Sequence, residues 1–244
     1  MTAVILTLLT VVSGVAQDYQ KDSTITHQQA DEILNELKQI RQLLERQTRL
    51  GLPAPTLAVA PTTGKLTLNG GFSLGSSDAP LAIVEFTDYQ CPFCRQFESA
   101  TFPEIRKKYI DSGKVRFVVR DFPLDGHPDA KPAAEAARCA ADQEKFWPMH
   151  DALFSDPGKL GLSGLIDYAG SLKLDMSAFR SCLESGKHRP DVQSDMQVAA
   201  ALQINATPAF LIGKITGDEV DGAIVFGALP FSAFETKLKE AEAH

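Results

Sequence analysis

The chain lacks most of the features that would commit it to a binding class. Its net charge is -7 and no run of Lys or Arg interrupts it, so no nucleic acid or anionic membrane is expected as a partner, since both need clustered positive charge. There is no second CxxC and no HxxxH, and none of the five histidines forms a ligand pair at helical spacing. That absence removes the usual zinc-ribbon pattern. The apolar run of residues 4 to 12 is too short to span a bilayer. Cysteine is sparse, four residues in 244, and two of them are separated by two residues in Cys91-Pro92-Phe93-Cys94.

What is present describes a globular chain. It is 44% hydrophobic and 23% charged, enough to bury a substantial core in one elaborated domain or two small ones. After residues 4 to 12, Gly14-Val15-Ala16 supplies small residues at the offsets signal peptidase needs, so residues 1 to 16 read as a cleaved signal peptide. No Lys or Arg precedes the apolar run, which departs from that pattern and leaves the true start codon open. Export implies the periplasm or another oxidising compartment, where four cysteines suit disulfide chemistry.

Residues 17 to 52 hold an amphipathic helical segment. Ile33, Leu37, Ile40 and Leu44 recur at helical spacing, Leu34 and Leu43 widen the stripe, and Arg41, Glu45 and Arg49 can pair across the outer face. A Pro-rich linker, residues 53 to 64, sets this segment apart, so its stripe needs a partner of its own. A homo-oligomer through residues 27 to 50 is the expected use, with packing back on the body as the alternative.

The body, residues 65 to 244, opens with short strands over Lys65 to Leu68 and Leu81 to Phe86. A helix from Pro92 to about Ile110 follows, broken or kinked near Pro103, and then a strand over Val115 to Arg120. That order is a βαβ unit with the CxxC at the carboxyl end of its first strand, where open α/β sheets place their chemistry. Helical patterns fill residues 128 to 203, strands return at Ala209 to Ile212 and Ala223 to Phe226, and Phe231 to Ala241 closes as a helix. A helix N-terminus stabilises a thiolate, and the two-residue spacer lets a second cysteine close a disulfide, so Cys91 and Cys94 read as a redox pair. The competing assignment is a metal-handling module holding copper or zinc through Cys91 and Cys94, with His127 or a substrate ligand.

Four stretches resemble the DsbA-like family of thioredoxin-fold thiol–disulfide oxidoreductases. They are Ile83-Val-Glu-Phe-Thr-Asp-Tyr-Gln-Cys-Pro-Phe-Cys94, Phe122-Pro-Leu124 with His127-Pro128, Phe146-Trp147 with Ala152-Leu-Phe154, and Asn205-Ala-Thr-Pro-Ala-Phe210. The resemblance covers about Leu81 to Ala241 and implies an α/β thioredoxin fold with a helical insertion domain, preceded by the amphipathic helix. It implies Cys91 as nucleophile, Cys94 as resolving partner, and Glu85 as proton acceptor for the inner cysteine, unless Glu85 is paired to a Lys or Arg. It makes Thr207-Pro208 a cis-proline loop facing Pro92 and Phe93, against an ordinary trans proline opening a strand. Phe93 stands where strongly oxidising relatives carry a histidine, so a milder potential is expected.

Cys139 and Cys182 fall on predicted insertion helices. Beside an oxidising site two free thiols are liabilities, so a structural disulfide is expected, the alternative being two free buried cysteines. Phe146, Trp147 and Phe154 read as insertion core, and His127 as a support for its loop. The resemblance further implies no cofactor beyond the Cys91-Cys94 pair, clients that are unfolded or misfolded secreted proteins with cysteines, and a membrane redox partner that resets the site.

Overall fold

In a computed structural model, residues 27–49 and 63–243 are described, and the predicted signal peptide and most of the linker lie outside them. The chain divides into two units, residues 1–58 and 59–244. The first holds helix α1, His27–Arg49, on which Ile33, Leu34 and Leu37 are about half exposed. Of the stripe's other members, Ile40, Leu43 and Leu44 have side chains outside the described set.

The second unit is built on a six-stranded sheet in the order β1-β6-β5-β3-β4-β2. Its strands are β1 Thr63–Thr67, β2 Phe72–Leu74, β3 Leu81–Thr87, β4 Val115–Asp121, β5 Ala209–Thr216 and β6 Glu219–Phe226. The body thus begins at Thr63, two residues inside the expected linker. β3 and β4 run parallel and every other pair is antiparallel. Gly213 and Gly222 face each other between β5 and β6, where a Cβ on either would meet the other strand's backbone at 2.0 Å. Only glycine permits that approach.

β3 is buried along its whole length, as a central parallel strand must be. Its side chains alternate between faces. Leu81 and Ile83 join the larger core with Phe97, Phe117, Phe210 and Phe234, while Ala82, Val84 and Phe86 join the smaller core with Val118, Leu211 and Val220. Glu85 keeps the parity of Leu81 and Ile83 and lies on the larger-core face, beneath the helix that follows the CxxC. That helix is α2, Pro92–Ala100, and it breaks at Thr101 before a short α3, Phe102–Ile105, and a single π-helical turn, Arg106–Ile110. The break falls near Pro103, as expected, because proline lacks the N–H that would continue the helical ladder.

The insertion is five helices: α4 Ala130–Ala141, α5 Phe146–Ser155, α6 Leu162–Ser171, α7 Met176–Ser185 and α8 Arg189–Ala201. A buried ion network ties it to the sheet. Arg120 Nη1 donates to Asp195 Oδ1 at 2.5 Å, Arg138 Nε donates to Asp121 Oδ2 at 2.5 Å, and Arg138 also meets Asp195. β4, α4 and α8 are thereby joined through four side chains, all at most 5% exposed. Cys139 on α4 and Cys182 on α7 are disulfide-bonded, and α9, Phe231–Ala243, packs Phe234 and Leu238 onto the sheet.

Candidate active site

Cys91 is the residue just before the first turn of α2, in extended conformation, and Pro92 occupies the first helical position. Proline suits that place, because the N–H it lacks has no helical partner there. Both cysteines are free thiols. Both are buried, Cys91 at 3% exposed and Cys94 at 0%. Cys91 nonetheless lines a cavity of about 410 Å³ with Tyr89, Gln90, Pro92 and Arg95, while Phe93 stands 59% exposed beside it.

Across from the pair, the Thr207-Pro208 peptide bond is cis. Cys91 Sγ lies 3.5 Å from Thr207 O, to which the thiol donates. The Pro208 carbonyl accepts from Gly227 N–H at 2.8 Å, which holds the loop against β6. The structure therefore brings Cys91, Cys94, Pro92, Phe93, Thr207 and Pro208 to one place.

The two thiols are driven apart in acidity. The Cys94 S–H donates to the Cys91 sulfur and lowers its pKa to about 5, against the opposing effect of burial, with the Cys94 and Phe93 backbone N–H groups helping. Burial first, then the neighbouring Cys91 and Glu85, push the Cys94 thiol well above its ordinary range. Burial likewise raises the Glu85 carboxyl to about 8. Neither Glu85 oxygen has a hydrogen-bond partner, so it is not the paired strand carboxylate that was its alternative. Glu85 is near enough to Cys94 to push that thiol up in turn.

Two further residues belong to this site and carry no local sequence signal. Asp88, 1% exposed, accepts from the N–H groups of Gln90 and Cys91 through Oδ1, at 2.7 and 3.1 Å, and from Leu124 N–H through Oδ2 at 2.8 Å. His127 Nδ1 meets the same Oδ2 at 2.7 Å, so His127 supports the loop as expected and is committed to Asp88. Among the described residues it does not join Cys91 and Cys94 as a three-ligand set, which leaves the metal-handling assignment without its proposed histidine. Glu98 lies one turn beyond Cys94 on α2, and burial raises its carboxyl well above the ordinary range. Its Oε1 has no hydrogen-bond partner and lies 3.7 Å from His150 Nε2. An acid on a helix reads in sequence as a solvated face, and an aspartate in a loop as a turn former.

A six-stranded mixed sheet with a CxxC at a helix start and a cis-proline loop opposite defines a thioredoxin-fold redox centre. A thioredoxin family model matches residues 67–224, and the chain belongs to that family. Its solved neighbours make it a DsbA-like member. Alpha-DsbA1 of Wolbachia pipientis superposes with a TM-score of 0.64 at 27% identity, covering 73% of this chain and 94% of that one. BdbD of Bacillus subtilis superposes at 0.65 and 26%, covering 75% and 98%. The Na(+)/H(+) antiporter NhaA 3 of Salinispora tropica is 38% identical over 139 residues, 57% of this chain but 21% of that protein. The chain thus spans about a fifth of the curated relatives it matches, and the transport named for them does not carry across.

Proposed function

We propose that this protein is a thiol–disulfide oxidoreductase, acting on cysteines of other proteins through Cys91 and Cys94. The observation that carries the reading is the split between a Cys91 thiol held at about 5 and a buried Cys94 thiol raised above its ordinary range. In the oxidised enzyme a substrate thiolate attacks Cys91 Sγ. The Cys91-Cys94 bond breaks, a mixed disulfide forms, and Cys94 leaves as a thiolate that takes a proton from Glu85. A second substrate thiolate then attacks the mixed disulfide, releasing oxidised substrate and Cys91 as its stabilised thiolate. In isomerisation Cys91 attacks a wrong disulfide first and is later displaced by another thiol of the same substrate. No cofactor is required for either cycle.

An extended client would pair with the backbone at Thr207 and lay apolar residues against Phe93 and Pro92, the manner in which a peptide adds to a sheet edge. Export, a client set of unfolded or misfolded secreted proteins, a membrane redox partner that resets Cys91-Cys94, and self-association through residues 27 to 50 complete the proposal. Among the described residues no helix is long and apolar enough to cross a membrane. With Phe93 between the cysteines the site has no imidazole to stabilise its thiolate further, which favours a milder oxidant or an isomerase. The test is recovery of activity from a scrambled disulfide-containing substrate. The parent should accelerate it and Cys91→Ser should not; equal acceleration by Cys91→Ser would refute the reading.

A further inference from the structure

We propose that reduction of the Cys139–Cys182 bond unmasks a zinc site, formed by the two freed thiolates, His188 and Asp142. The Cys139, Cys182 and His188 ligand atoms already lie within 4.8 Å of one another. A tetrahedral zinc with sulfur and nitrogen bonds of ordinary length needs ligand atoms roughly 3.3 to 3.8 Å apart, so modest side-chain rotation closes the site. Asp142 Oδ2 supplies the fourth position, 3.6 Å from Cys182 Sγ and 3.0 Å from His188 Nε2. A cavity of about 330 Å³ lined by Cys139, Asp142, Ser181, Cys182 and Lys187 adjoins the sulfurs and gives them room to part.

The backbone delivers these groups deliberately. Asp142 caps the C-terminus of α4, one turn beyond Cys139. α7 ends on Gly186 in left-handed conformation, φ 64°, which folds the chain back so that His188 returns over Cys182. That φ favours glycine, which adopts it without strain. His188 Nδ1 is bound to Asp191 Oδ2 at 2.6 Å. That contact fixes the ring with Nε2 toward Asp142 and the sulfurs, the carboxylate–histidine arrangement that orients zinc ligands.

While the disulfide is closed, Lys187 Nζ holds Asp142 Oδ2 at 2.9 Å and takes the place of a cation there. Its side chain is half exposed and can swing away. A dithiol reductant opens the bond: the Cys139–Cys182 disulfide becomes two thiols as the reductant becomes a disulfide. Zinc then displaces two protons from those thiols. Two thiolates, an imidazole and a carboxylate are a donor set for zinc, whereas calcium and magnesium refuse thiolates. The bound metal replaces the covalent link between α4 and α7, so the insertion keeps its staple in either redox state.

The test uses the full chain carrying Cys91→Ser and Cys94→Ser, so that the catalytic thiols contribute no ligand. Reduced with a phosphine and titrated with cobalt, it should bind one Co²⁺ with thiolate-to-metal absorption and tetrahedral d–d bands, both abolished by Zn²⁺. The unreduced chain should show neither. His188→Ala and Asp191→Asn should each weaken binding by about 10-fold or more. Zinc should also raise the melting temperature of the reduced chain and not that of its His188→Ala variant. No tetrahedral cobalt spectrum, equal affinity in His188→Ala, or a reduced chain that zinc neither stabilises nor refolds would each overturn the proposal. None of these results bears on Cys91 and Cys94.

Discussion

The proposed chemistry rests on three titrating side chains whose environments pull them apart. Cys91 is pulled down by donors, while Cys94 and Glu85 are pushed up by burial on the larger-core face of β3. Glu85 has a folded-state value of about 8 against an ordinary 4.5, so the folded chain holds its proton more tightly. Its contribution to stability is therefore present below pH 4.5 and lost as pH rises through 8. Cys91 slopes the opposite way, because its lowered thiol adds stability as pH rises from about 5 toward its ordinary 9. Glu85→Gln should gain on the reduced parent by on the order of 3 kcal/mol between pH 4.5 and 8, measured by urea unfolding at both ends. A difference independent of pH would mean that Glu85 is an ordinary carboxylate. The same variant should slow attack of Cys94 on a mixed disulfide by about 10²-fold, the usual worth of a positioned proton acceptor.

At the level of elements, much of the architecture is legible because local pattern and tertiary role agree. The apolar run ending in the CxxC, the helical stretch after it and Val115 to Arg120 give the βαβ unit, and Gly, Pro and Asp punctuate the insertion helices within a few residues of their observed ends. β2 is not legible, since three residues between Gly71 and Gly75 have no period to read. The π-helical turn at Arg106–Ile110 leaves no signal either. The ion network is hidden for another reason: Arg120, Asp121, Arg138 and Asp195 meet only after α4 and α8 fold onto β4. The Asp88 cradle is half hidden in the same way: its bonds to Gln90 and Cys91 N–H are a local turn, but Leu124 and His127 reach it only in the fold. Asp195 is the member that touches both arginines. Asp195→Ala would leave two buried guanidiniums short of a carboxylate and should cost about 3–5 kcal/mol in denaturant unfolding. A loss under 1 kcal/mol would show that water replaces the carboxylate.

For the whole molecule the open quantity is the number of sites that meet one client. Ile33, Leu34 and Leu37 present half-exposed apolar surface on α1, and such a stripe is buried most economically against a second copy. The chain from residue 17 onward should scatter light as an oligomer at micromolar concentration, and removal of residues before Val59 should leave a redox-active monomer. A full-length monomer across that range would reject the assignment. Whatever the copy number, the proposed chemistry needs Cys91 as the attacking and attacked sulfur, with Cys94 behind it. The most direct measurement is mass mapping of the complex that the Cys94→Ser chain forms with a disulfide-containing protein. A stable mixed disulfide through Cys91 is expected; no trapped complex, or one through another cysteine, would contradict Cys91 as the attacking sulfur.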